Sequence, residues 1–325
     1  MTTTEGRIFE VLDSAQVAVW PVRIMWLALP AIFRLGFGSA TADLDATGVL
    51  GLEILAWFVW FVGMVATAVS HPLALTIIRT LAPVPVTSLL VASGLQGDLP
   101  LTTMLVCGYS AVVMLAIFLP AFGDPMVNGS AYGPERRLAL RPPGFVVVGA
   151  IPLVWVTMFT LLASGFALAA TDHLLFAIPL IFMGAAATYA GIKSLHQLSQ
   201  RWLVFVPAGF VIHDRLLLTE PVLIPRKVID NLGLVGFDHG DEKWKRGNGD
   251  GIESVDATGG AAGLVVEVNT SADISLAMKG RGSSREATTR SIRFSPTLPG
   301  KVLSEARIRG IRVGAPKPPS SPTVE

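Results

Sequence analysis

Residues 144–170 read GFVVVGAIPLVWVTMFTLLASGFALAA, 27 positions without one charged side chain. A bilayer core is about 30 Å thick and a helix rises about 1.5 Å per residue, so roughly 20 such residues cross it. A helix that is apolar on every side has to be buried all round, in lipid or in a large protein interior. The feature recurs. Residues 101–121 and 174–192 carry no charge, and residues 48–70 carry only Glu53, near one end. Four segments therefore read as membrane spans, and the last two are joined by Thr171, Asp172 and His173 alone, a tight helical hairpin.

Two further segments have two readings each. Residues 15–37 contain Arg23 and Arg34, eleven positions apart, which at 100° per residue puts both on one face. Such a helix lies in the membrane interface or crosses with its basic stripe against the bundle. Residues 71–94 hold Arg79 centrally and then Pro83 and Pro85, the pattern of a broken span or a re-entrant piece shielded by protein. The span count is thus four to six; either even count leaves the N-terminus inside, and an odd count would put it outside. Residues 1–14 have no basic stretch ahead of an apolar run and read as retained rather than cleaved.

Charge is distributed unevenly. The whole chain is 51% hydrophobic and 15% charged, where soluble domains average about 25% charged. Residues 1–193 hold 8 Lys/Arg and 10 Asp/Glu, and residues 194–325 hold 17 and 14. The sequence therefore divides into a membrane domain over 15–193, a domain of soluble composition over 194–312 and a Pro/Ser-rich tail over 313–325 that reads as disordered. Basic loops near span ends stay in the cytoplasm. Arg136, Arg137 and Arg141 mark the loop 122–143, the turn 171–173 has no Lys or Arg, and Lys193 and Arg201 follow the last span. That alternation places the loop and the C-terminal domain inside. Arginine usage of this kind, 18 Arg to 7 Lys, suits a GC-rich bacterial genome and hence a bacterial plasma membrane.

After Lys193 the apolar runs shorten. RWLVFVPAGFVIHD (201–214) reads as two strands around a Pro-Ala-Gly turn. LLLTEPVLIPRKVI (216–229), GLVVEVN (263–269), ADISLAMK (272–279) and RSIRFSP (290–296) read as further strands, with prolines at edges or bends. The stretch 298–312 reads as a helix, and 238–263 as a glycine-rich, charged loop. The expected fold is an α-helical membrane bundle followed by a small, mainly β domain with a C-terminal helix. The hairpin RWLVFVPAGFVIHD, the strand PVLIPRKVI and the succession RFSPTLPGKVLSEARIRGI resemble the bacterial PH-like domains of multi-pass membrane proteins, over about residues 200–312. The resemblance implies a small β-barrel-like binding module and no catalytic residue.

Candidate sites are few. Arg281, Arg285, Arg290, Arg293, Lys301, Arg307, Arg309 and Arg312 face only Glu286 and Glu305 in the same stretch, a basic surface suited to anionic lipid headgroups or an acidic protein partner, or an ordinary solvated face. Nucleic acid is not expected at a domain net charge of +3 (17 − 14) without a reading helix. Glu53 and Arg79 are the ionisable residues deepest in apolar sequence and form a candidate intramembrane pair. GNGDGIESVD fails as a calcium loop, because Arg246 and Ala257 fall where acidic ligands belong. Cys107 is the only cysteine, the five histidines are scattered, and no HExxH, GxSxG or P-loop occurs. No metal or cofactor is expected. Small residues from Gly184 through AAATYAG read as a close helix-packing face. The expectation is a non-catalytic adaptor or accessory subunit with a protein partner or a second copy of itself, with a transporter or channel component as the alternative and a membrane enzyme built on loop 122–143 as a third reading.

Overall fold

A computed structural model describes residues 17–40, 46–97, 100–170, 172–235, 254–279 and 284–314. The N-terminal segment, most of the glycine-rich loop, Arg281 and the tail beyond residue 314 lie outside them. The chain forms two compact units. One combines the helices before Ser130 with residues 151–196; the other combines 131–150 with everything from Gln197 onward.

The helical unit holds α1 (Trp20–Ala40), α2 (Ala46–Ala68), α3 (Pro72–Leu81), α4 (Val84–Gln96), α5 (Leu101–Phe118), α6 (Pro120–Asn128), α7 (Ile151–Ala170) and α8 (Leu174–Ser199). Among the described residues, five stretches are long and apolar enough to cross a membrane: Val49–Ala68, Pro72–Leu90, Leu101–Phe118, Val146–Ala169 and Leu174–Ser199. The protein is a multi-pass membrane protein on this composition. Large apolar side chains such as Phe58, Phe61, Leu153, Leu175 and Phe182 are more than half exposed, as lipid-facing positions must be.

The broken stretch at 71–94 is explained by its prolines. Helix α3 stops at Leu81, and α4 restarts at Val84 with a proline in its first turn, where the missing N–H has no helical acceptor to lose. A second break separates α5 from α6. Pro120 opens α6 while Leu119 is extended at φ −61°, ψ 140°, because the residue before proline is pushed out of the helical region. Helix α1 lies alongside α2 in the opposite direction. Trp26 Nε1 donates to the Trp60 carbonyl (2.9 Å) and Trp60 Nε1 to the Trp26 carbonyl (3.0 Å), while Arg23 Nε donates to Thr67 O (2.9 Å) at the end of α2. Of the basic stripe, Arg23 is therefore turned against the bundle and Arg34 is exposed.

The hairpin α7–α8 is held by small residues. Ala177, Gly184 and Gly191 are the buried positions of α8, seven residues apart, so they stack on one helix face. A side chain on Gly184 would meet the Leu162 backbone nitrogen at 3.0 Å, and a main-chain atom cannot step aside. Gly184→Leu is therefore expected to destabilise the hairpin by about 1–3 kcal/mol, as overpacking does, read as a lowered thermal midpoint in detergent.

The second unit is discontinuous in sequence, where the chain reads as one run from 194. Its first sheet has the order β1 (Arg136–Ala139), β2 (Trp202–Val206), β3 (Gly209–His213) and β4 (Val222–Pro225), all antiparallel. The second has the order β5 (Ile229–Val235), β7 (Val265–Lys279), β8 (Ser284–Phe294) and β6 (Val255–Asp256), with β6 parallel to β8. Strand β1 comes from the segment read as a basic loop. The two strands expected at 263–269 and 272–279 are one 15-residue strand with a register shift between Asn269 and Ile274; its polar middle marks a bulge, not a turn. Helix α9 (Pro299–Ile308) ends earlier than 312 because Gly310, at φ 67°, leaves the helical region. The chain then adds to β5 through Leu232 N to Arg312 O, 3.0 Å. One core joins both sheets and the helix: Leu138, Phe205 and Phe210 from the first sheet, Val268 and Phe294 from the second, Val302 and Ala306 from α9.

Candidate functional site

The side chains that carry charge fall into three places. The first is the junction of β1, β2 and β3. Arg201 and Asp214, each 1% exposed, form an ion pair at 2.6 Å. Arg201 Nη1 also donates to the Arg141 carbonyl, and Asp214 Oδ1 accepts from the backbone N–H of Leu216 (3.0 Å) and Leu217 (3.2 Å). The pair was legible in principle. The hairpin register sets Trp202 opposite His213, which brings the flanking Arg201 and Asp214 together. The residues read as topology determinants do structural work in the same region. Arg136 is buried in β1, Arg137 pairs with Glu135 (3.2 Å) and covers Trp202 (5.2 Å), and Arg141 Nη1 donates to Ala262 O (2.9 Å). Lys193 is exposed on α8.

The second place is the basic surface. Arg290 pairs with Asp273 (2.6 Å), Arg293 with Glu267 (2.8 Å) and Arg309 with Glu305 (2.7 Å); Glu305 belongs to the same stretch, whereas Asp273 and Glu267 are carboxylates that the linear reading did not place beside their arginines. Arg309 also donates to Pro134 O, 2.6 Å. Lys301 is half-buried, Arg285 stands opposite Met278 at the start of β8, and Arg281 lies outside the described residues. Arg307 and Arg312 are exposed. The fold adds Arg226 and Lys227, exposed in the short turn 226–228; a side chain on Gly310 would come within 2.6 Å of the Arg226 guanidinium. Arg226 thus reaches the end of α9, where Arg307, Ile308 (54% exposed) and Arg312 follow one another closely in the chain. Local sequence hid this grouping because Arg226 and Gly310 are 84 positions apart.

The third place is within the helical unit. Glu53 is exposed on α2, and Arg79 is packed into the bundle; no ion pair joins them. Arg79 lies over the Phe118 ring (5.6 Å to its centroid) and against Gly123, and its Nε is buried without an acceptor. A charge at mid-membrane costs about 2.5–3.5 kcal/mol on insertion scales, so such a residue calls for a partner. Elsewhere Thr76 Oγ1 lies 3.1 Å from His196 Nδ1, tying α3 to the end of α8.

No cluster of three or more His, Cys, Asp or Glu side chains suited to a metal occurs among the described residues. Comparison with protein-family models, curated proteins and solved structures finds no match.

Proposed function

We propose that this protein is a membrane adaptor or accessory subunit, whose helices anchor and orient a small β module that engages a protein partner or anionic lipid on the cytoplasmic face of a bacterial plasma membrane. One observation carries the reading. Strand β1, from between two membrane helices, completes the sheet begun after the last one. A strand can pair only with a neighbour on its own side of the bilayer, so the segment around 131–145 and the C-terminal region share one side. The basic character of both, set against the uncharged turn of the hairpin, argues that this side is the cytoplasm. Two sheets over one core with a C-terminal helix suit the PH-like resemblance.

Affinity purification of the full chain from native membranes tests the reading. The expected result is a stoichiometric protein partner, lost when the β module is unfolded by Asp214→Ala. Recovery of the chain alone, or of the same partner with both forms, would defeat it. A transport role is favoured by a different observation, the two broken helices beside Arg79.

A further inference from the structure

We propose that Arg79 is the anchor of an anion-binding site inside the helical unit, a feature independent of the adaptor reading. Arg79 stands near the middle of the apolar stretch Pro72–Leu90. Its guanidinium is positioned by the Phe118 ring at 5.6 Å, yet Nε has no acceptor and no carboxylate among the described residues pairs with it. A cation with an aromatic face beneath it and no ion pair among the described residues is half of an interaction.

The guanidinium is closely fitted by its surroundings. Gly123 opposes the guanidinium, and a β-carbon there would lie 2.8 Å from Nη2, so any larger residue would displace the group. Two helices also break beside it. Helix α3 ends at Leu81, two residues beyond Arg79, and α5 ends at Phe118, the residue on which Arg79 rests. Interrupted helices at membrane depth are tolerated where the backbone is buried in protein or lines a wet cavity, and paired half-helices are a recurrent way of building ion sites. A single guanidinium suits a small monovalent anion rather than a multiply charged one.

The test uses the full chain in detergent and bromide as the probe. Thermal unfolding is followed in sodium bromide and in sodium gluconate at equal ionic strength. A ligand bound only by the folded state raises the midpoint by mass action, about 3–6 °C at ten times its dissociation constant. The expected result is a bromide-specific rise in the wild type and in Arg34→Gln, absent in Arg79→Gln and reduced in Gly123→Ala. Should Arg79→Gln fail to accumulate, Gly123→Ala decides, since it keeps the charge and moves the guanidinium. No bromide-specific rise in the wild type overturns the proposal, as does a rise of equal size in the Arg79 and Gly123 variants. A rise on adding phosphatidylglycerol but not bromide also overturns it, by assigning the arginine to a lipid headgroup.

Discussion

Asp214→Ala is expected to destabilise the β module by about 3–5 kcal/mol, the cost of leaving one member of a buried ion pair without its partner. Arg201 and Asp214 are each 1% exposed, so water cannot solvate the arginine left behind. The substitution also removes the acceptor for the Leu216 and Leu217 N–H groups, which opens the turn toward β4. Loss of this size is comparable with the whole stability of a small domain. The readout is protease resistance of segments 131–150 and 197–314 in the detergent-solubilised chain across a urea series. Arg201→Met combined with Asp214→Leu is expected to recover most of the loss, because a buried pair replaced by apolar groups of similar volume is often neutral. A single variant as resistant as the wild type would show that the pair contributes no net stability.

Phe210→Ala is expected to have a similarly large effect for a different reason. Phe210 is fully buried and lies 5.7 Å from Phe205 and 6.1 Å from Phe294, ring centre to ring centre. Phe205 belongs to the first sheet and Phe294 to the second, so this side chain fills the space between the layers. Truncating a core phenylalanine costs about 3–5 kcal/mol through lost transfer energy and the cavity left behind. Phe210→Leu keeps most of the volume and is expected to cost less than half as much. The same urea series checks both, with the midpoint falling in the order wild type, Leu, Ala. Equal midpoints for all three would mean that the sheets are not joined through this residue.

Some of the architecture was legible because it is local. Membrane helices declare themselves by uninterrupted apolar length, and Pro83 and Pro120 break them by steric exclusion that needs no tertiary partner. The β2–β3 hairpin was legible for the same reason, since its turn and both strands lie within fourteen residues. Of the candidate basic residues, Arg307 and Arg312 are exposed, whereas Arg290, Arg293 and Arg309 have carboxylates from the same module beside them. Of those carboxylates Glu305 is four residues from its arginine, but Asp273 and Glu267 are on a neighbouring strand, and a count of charges along the chain cannot place them.

Strand β1 shows the limit best. RRLA has no alternation, length or turn signal that separates it from a solvated basic loop, and its hydrogen-bond partners begin at Trp202, more than sixty residues later. Whether those four residues are a strand is settled by pairing with β2 and by the burial of Leu138. Arg79 is the converse case. Its presence in an apolar segment was visible at once, but only the packed helices set it on Phe118, opposite Gly123, with its Nε buried and without an acceptor among the described residues. The sequence by itself determined where this chain must meet lipid, because hydrophobic length and proline geometry act within a few residues. Only the tertiary structure decided which distant segments close one β module and which charges lie beside a carboxylate, because strand pairing and ion pairing are contacts between residues that the chain order keeps apart.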